Sequence, residues 1–111
     1  MKLNNGFELI LAPNKSARSI NIGLYFYGGS AGEMIYESGI HHLLEHMFFR
    51  RLSDMSQPKL YSALNRIGAT MRGATYLNFL RFDITVSPKH LKAAFDIILK
   101  FFSDFSWSEQ E

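Results

Sequence analysis

The sequence predicts an α+β fold: a two-layer domain with a mainly antiparallel sheet and helices on one face, in the order ββααββα. Three observations predict it. Ile20, Ile22, Leu24 and Phe26 alternate with Asn21, Gly23, Tyr25 and Tyr27, a period of two. Leu80, Phe82, Ile84 and Val86 alternate in the same way with Arg81, Asp83 and Thr85. Between and after these runs, apolar residues recur at helical spacing. A chain of 111 residues suits one such domain with one core, so residues 1–111 are expected to form a single unit.

Phe7 to Ala12 reads as the first strand, with Pro13-Asn14-Lys15-Ser16 as the turn after it. It is expected to pair with the run from Ile20 to Tyr27. That hairpin ends at Gly28-Gly29-Ser30-Ala31-Gly32, whose glycines permit positive φ or close approach. The first helix follows, with Ser38 as its expected N-cap and Ile40, Leu43, Leu44, Met47 and Phe48 as its inward stripe. A second helix is expected from about Gln57 to Ile67, capped by Ser56 and stopped by Gly68. A strand over about Ala69 to Tyr76 comes next, and then the one around Phe82. Ser87-Pro88 opens a last helix, with Leu91, Ala94, Phe95, Ile98, Phe101, Phe102 and Phe105 expected inward. Ser108-Glu109-Gln110-Glu111 has the form of a capping box, as if another helix began there, with Trp107 as its anchor.

Composition narrows the function classes. With 47% apolar and 20% charged residues the chain is globular in type. The net charge is +2, and no basic run exceeds Arg50-Arg51, so the clustered basic face of a nucleic-acid binder is missing. The absence of cysteine excludes disulfides and thiolate metal sites. The apolar run Leu9 to Ala12 is too short for a signal peptide, and no stretch reaches the ~18 apolar residues of a membrane span. A cytoplasmic location, with neither membrane nor nucleic acid as partner, is the expectation.

The chemistry lies in HHLLEHMFFR, residues 41 to 50. At 100° per residue from Ile40, the apolar stripe covers about 300° to 80°, while Glu45 falls near 140°, His42 near 200° and His46 near 240°. His42 and His46, at i and i+4, can reach one metal ion, with Glu45 beside them to take a proton from water. This is the H-x-x-E-H arrangement. Chance alone gives such a match in roughly 0.7% of chains of this length and composition. The plain alternative is a solvated helix face, on which His41 and Glu45 form an i, i+4 pair worth a few tenths of a kcal/mol.

The segments GGSAGE, ESGIHHLLEHMFFR, IGATMRGATY and FDITVSPKHLKAAFDIILKFF together resemble the N-terminal domain of the pitrilysin and insulin-degrading peptidases, a family that includes mitochondrial processing peptidase. The resemblance covers nearly the whole chain, in order. It implies a zinc metallopeptidase, with His42 and His46 as zinc ligands and Glu45 as general base. It also implies that the strand containing Arg72, Gly73 and Ala74 binds substrate by pairing with its backbone. Further implications are a peptide substrate and a second peptidase domain or subunit, or a homo-oligomer.

Departures from the family pattern qualify those expectations. Ala31 replaces an arginine, Arg51-Leu52 replaces Gly-Thr, and Arg72-Gly73-Ala74-Thr75 stands where the family has Asn-Ala-x-Thr. Arg72 either reads acidic peptides or is an exposed strand residue. The third zinc ligand, a glutamate, would fall beyond Glu111, so the chain is expected to be C-terminally truncated and poorly active alone. Glu109 and Glu111 replace that ligand only if the connection is shortened. A non-catalytic relative that binds a peptide or a partner chain is the alternative.

Overall fold

The computed structural model describes residues 1–104, 107 and 109. In chain order its elements are β1 (Ile20–Tyr27), α1 (Ile40–Arg50), β2 (Arg51–Leu52), β3 (Met55–Ser56), α2 (Gln57–Arg66), β4 (Thr70–Thr75), β5 (Phe79–Val86) and α3 (Leu91–Leu99). Short 3-10 turns precede α1 and flank α3. The sheet is antiparallel in the order β1-β5-β4, and β2 and β3 form a separate small ribbon. The fold is therefore α+β with an antiparallel sheet, as expected from the two alternating runs.

β5 is central, pairing with β1 on one side and β4 on the other. Leu80, Phe82, Ile84 and Val86 face the helices and are all buried. Across β1 they meet Phe26, Leu24, Ile22 and Ile20, and across β4 Thr75, Gly73 and Met71 meet Leu80, Phe82 and Ile84. Phe82 is fully buried at the centre of an aromatic cluster. Its ring lies 4.8 Å from Phe101, 5.1 Å from Phe48 and 6.2 Å from Phe26 and Phe49. On the opposite face Asp83 is buried as well, but Arg81 and Asn21 donate hydrogen bonds to its carboxylate, which offsets the cost of burial.

The loop after β1 rests on the β4–β5 turn. Gly28, Ser30 and Ala31 donate backbone hydrogen bonds to the carbonyls of Asn78, Tyr76 and Leu77. A β-carbon at Gly29 would collide with the Tyr76 and Leu77 carbonyls, so this glycine is there for close approach.

Four expectations need correction. Residues 7–12 do not form a strand against β1; only the isolated bridge Lys2–Glu8 is present. Asn5-Gly6 is the reason. Gly6 has φ +88° and Asn5 Oδ1 accepts from the Phe7 amide, so the chain turns back on residues 1–3 instead. The α1 stripe is only partly inward: Met47 and Phe48 are half-buried, with Phe48 against the core, but Ile40, Leu43 and Leu44 are exposed, whereas Glu45 is buried and Phe49 half-buried. The buried face is turned roughly a third of a revolution from the apolar stripe. Ser38 is not the N-cap of α1; Gly39 is, at φ +91°. In α3 the buried residues are Ala94, Ile97 and Ile98, followed by Phe101, while Phe95 and Phe102 are exposed. The helix gives way to a 3-10 turn at Lys100, which breaks the expected row of phenylalanines.

Other expectations match closely. α2 follows Ser56 and is stopped by Gly68 at φ +62°, although the Ser56 side chain makes no capping bond. Phe105 and the capping box from Ser108 to Glu111 lie outside the described residues, apart from an exposed Glu109. Trp107 packs on α1: its Nε1 donates to the Met47 carbonyl at 3.2 Å, and its ring lies 6.2 Å from Phe48.

Candidate metal centre

The helix that carries the histidines is held at its start by a carboxylate from the preceding loop. Glu33 accepts from the Gly39 amide at 2.6 Å and from the His41 amide at 2.9 Å, and its Oε1 lies 2.8 Å from His41 Nδ1. Its side chain is only 5% exposed. Two of the orphan N–H groups that open α1 are thereby satisfied, and a negative charge sits at the positive end of the helix. The His41 and Gly39 amides hold the Glu33 carboxyl below its ordinary pKa, and the His41 ring adds to the effect. His41 therefore pairs with Glu33, and the i, i+4 pair with Glu45 is not formed.

A pH dependence follows. Because the folded pKa is lowered, the anchoring by Glu33 is fully present above the unfolded value of about 4.3 and is lost as pH falls through the folded value. Thermal unfolding of wild type and Glu33→Gln should differ most above about pH 5, with the gap closing in stronger acid. A gap that widened in acid would show that Glu33 does not anchor α1 as an anion.

Directly after this anchor, His42 and His46 are exposed and converge. Their Nε2 atoms are 3.0 Å apart and their ring centroids 4.6 Å apart. Two imidazoles on one tetrahedral zinc, at 2.0–2.1 Å each, have nitrogens roughly 3.3 Å apart. The pair fits two positions of such an ion. Among the described residues, no group of three His, Cys, Asp or Glu side chains converges to hold a metal. Glu109 is thus not brought to the pair, and Glu111 lies outside the described residues.

Glu45 lies on the buried side of the same helix, against β4. It is 9% exposed, and Thr75 Oγ1 donates to its Oε2 at 2.6 Å. Gly73 lies beneath it: a β-carbon there would come within 2.9 Å of Glu45 Cγ and Oε1 and 2.8 Å of Phe49 Cε2. An open cavity of about 540 Å³ adjoins this contact, lined by Glu45, His46, Phe49, Arg50, Gln57, Tyr61, Met71, Arg72 and Gly73. Arg72 and Gly73 are thus brought to the histidine face, whereas Ala74 does not line the cavity. Neither Arg50 nor Arg72 has an ion-pair partner among the described residues. β4 pairs with β5 on one side, and its other edge has no strand partner among the described residues.

Two contributors escape a reading of periodicity. Glu33 is seven residues before α1, and Thr75 is thirty residues after Glu45. Both stand within the segments GGSAGE and IGATMRGATY, so the family resemblance is the signal that marks them. No helix among the described residues is long and apolar enough to cross a membrane.

The chain is similar to known proteins along nearly its whole length. A zinc protease of Bacillus subtilis (strain 168), YmxG, is 31% identical over 107 residues, covering 96% of this chain and 26% of that protein. The mitochondrial-processing peptidase subunit beta of Saccharomyces cerevisiae is 28% identical over 117 residues, covering 99% of this chain and 25% of its own length. The crystal structure of a protease from Helicobacter pylori superposes with a TM-score of 0.89 at 22% identity, over 99% of this chain and 27% of that one. The chain thus spans about a quarter of the length of these relatives. The model of the insulinase family (peptidase family M16) matches residues 9–111, and the chain belongs to that family.

Proposed function

We propose that this chain carries the metal-binding helix and general base of a zinc metallopeptidase that hydrolyses peptide bonds. The observation that carries the reading is the convergence of His42 Nε2 and His46 Nε2 at 3.0 Å, with a Glu45 carboxylate that shares a cavity with His46 and is fixed against β4. His42 and His46 would hold the zinc, which when bound supplies Lewis-acid polarisation of a carbonyl and acidifies water. Glu45 accepts a proton from the attacking water and delivers it to the leaving amine nitrogen, as the new C–O bond forms and the C–N bond breaks. The unpaired edge of β4 offers backbone groups to an extended peptide at Arg72, Gly73 and Ala74, which suits recognition by strand addition. Arg72 adds a cation beside the same cavity.

The names of the relatives, one of them a subunit of a processing peptidase, support a further peptidase domain or subunit as partner, or a second copy of the chain. The exposed stripe of Ile40, Leu43 and Leu44 supports the same reading, since contiguous apolar surface marks association sites. The two-histidine site favours a second reading, in which the chain is a non-catalytic peptidase-like subunit that binds a peptide or a partner.

Zinc titration by calorimetry tests the metal. The wild type should bind one ion weakly, because two side chains leave the coordination unfinished. The His42→Ala/His46→Ala double variant should bind at least tenfold more weakly still. Equal binding by the two proteins would remove the metal from the proposal.

A further inference from the structure

We infer that Thr75 is a positioning residue for Glu45: its hydroxyl fixes the carboxylate that acts as base, an inference that rests on the reading of Glu45 just given. The two oxygens of Glu45 have different surroundings. Oε2 accepts the Thr75 hydroxyl at 2.6 Å, within the range of a hydrogen bond to an ionised carboxylate. Oε1 lies over Gly73, whose backbone lines the cavity shared with His46. One oxygen is therefore tied down, and the other is held at the edge strand.

The tie is rigid at both ends. Thr75 sits in β4 opposite Leu80, and Leu80 is buried in the central strand. Threonine is β-branched, so few χ1 positions are open to it and its hydroxyl is aimed by the strand itself. Glu45 is in the middle of α1, whose start is held by Glu33. The hydrogen bond spans the two layers and sets where the carboxylate stands relative to the histidine face. A general base must be within hydrogen-bond reach of its proton, and a displacement of about 1 Å costs on the order of 10²-fold in rate. Burial alone would ask only for some donor to Glu45. The selective feature is that a strand residue, fixed in the sheet, supplies it.

The test compares Thr75→Val, which keeps the shape and loses the hydroxyl, with Thr75→Ser, which keeps the hydroxyl. Peptide turnover is measured in the longest native form that carries this segment. Zinc affinity and a crystal structure are obtained for each variant of the chain. Thr75→Val should lower kcat roughly 10- to 100-fold, the loss associated with a hydrogen bond to a charged group. KM and zinc affinity should stay within about twofold of wild type, and the Glu45 side chain should leave its place over Gly73. Thr75→Ser should restore kcat to within a few-fold and return Glu45 to its place. In a Glu45→Gln background, Thr75→Val should cause no further loss of kcat, because the two side chains act as one unit.

If Thr75→Val fails to fold, Thr75→Ala carries the same comparison. A Thr75→Val enzyme with wild-type kcat, or one whose Glu45 is unmoved, would overturn the inference while leaving Glu45 as base. Wild-type turnover by Glu45→Gln would overturn both, and so separates the two failures.

Discussion

Replacing Glu45 by glutamine should abolish nearly all peptide hydrolysis while leaving zinc binding intact. The substitution keeps the volume of the side chain, and an amide oxygen can still accept the Thr75 hydroxyl that now reaches Oε2 at 2.6 Å. What it removes is a group able to take a proton from water and return it to the leaving amine. General acid–base catalysis is typically worth ~10²–10⁴-fold, so kcat should fall by that much. His42 and His46 are unchanged, and their Nε2 atoms remain on the exposed side of α1, so zinc affinity should move little. The assay belongs in the longest native form of the protein, since the relatives are about four times as long as this chain. Turnover above about half of wild type would show that Glu45 is not the base.

The second large effect should come from Gly73. A β-carbon at this position would stand 2.8 Å from the Phe49 ring and 2.9 Å from Glu45. Glu45 can swing aside only by giving up Thr75, and Phe49 only by leaving its place beside Phe82. Gly73→Val should therefore lift α1 from β4. Overpacking of this kind costs about 1–3 kcal/mol of stability, read from urea unfolding. The displaced carboxylate should cost on the order of 10²-fold in turnover. Gly73→Ala, which places the residue of the family pattern here, should have a smaller effect in the same direction. A Gly73→Val protein as stable and as active as wild type would mean that α1 does not bear on β4 at this point.

Much of this could be read from the chain alone. Alternating residues identified β1 and β5, because a strand with one face in the core must place apolar groups at every second position. Ser56 and Gly68 bracketed α2 through local backbone preference, glycine being the residue best suited to a stop at positive φ. The spacing of His42, Glu45 and His46 put the candidate site on one helix, since i and i+4 share a face whatever that helix packs against. The resemblance of the four quoted segments to the pitrilysin and insulin-degrading peptidases is matched by the family comparison over residues 9–111.

What only the tertiary structure decided is which way each face turns. An amphipathic stripe reports where a helix would bury apolar surface if nothing else competed. In α1 something does compete. Phe48 and Phe49 reach the aromatic cluster around Phe82, Gly73 opens room beside it, and Thr75 satisfies the one carboxylate drawn inward. The partners that turn Glu45 into the interior come from β4, about thirty residues away, and no local period can register them. The same holds for Glu33, whose carboxylate, in place of the Ser38 side chain, satisfies two amides and faces the positive end of the helix. At the N-terminus the balance was local instead. Asn5-Gly6 closed a short turn and left residues 7–12 without the strand their apolar run had suggested. The sequence by itself determined most of the elements and singled out His42, Glu45 and His46 as candidates. Packing between distant segments determined which side of α1 those residues face, because burying a carboxylate depends on a donor and a space that other strands supply.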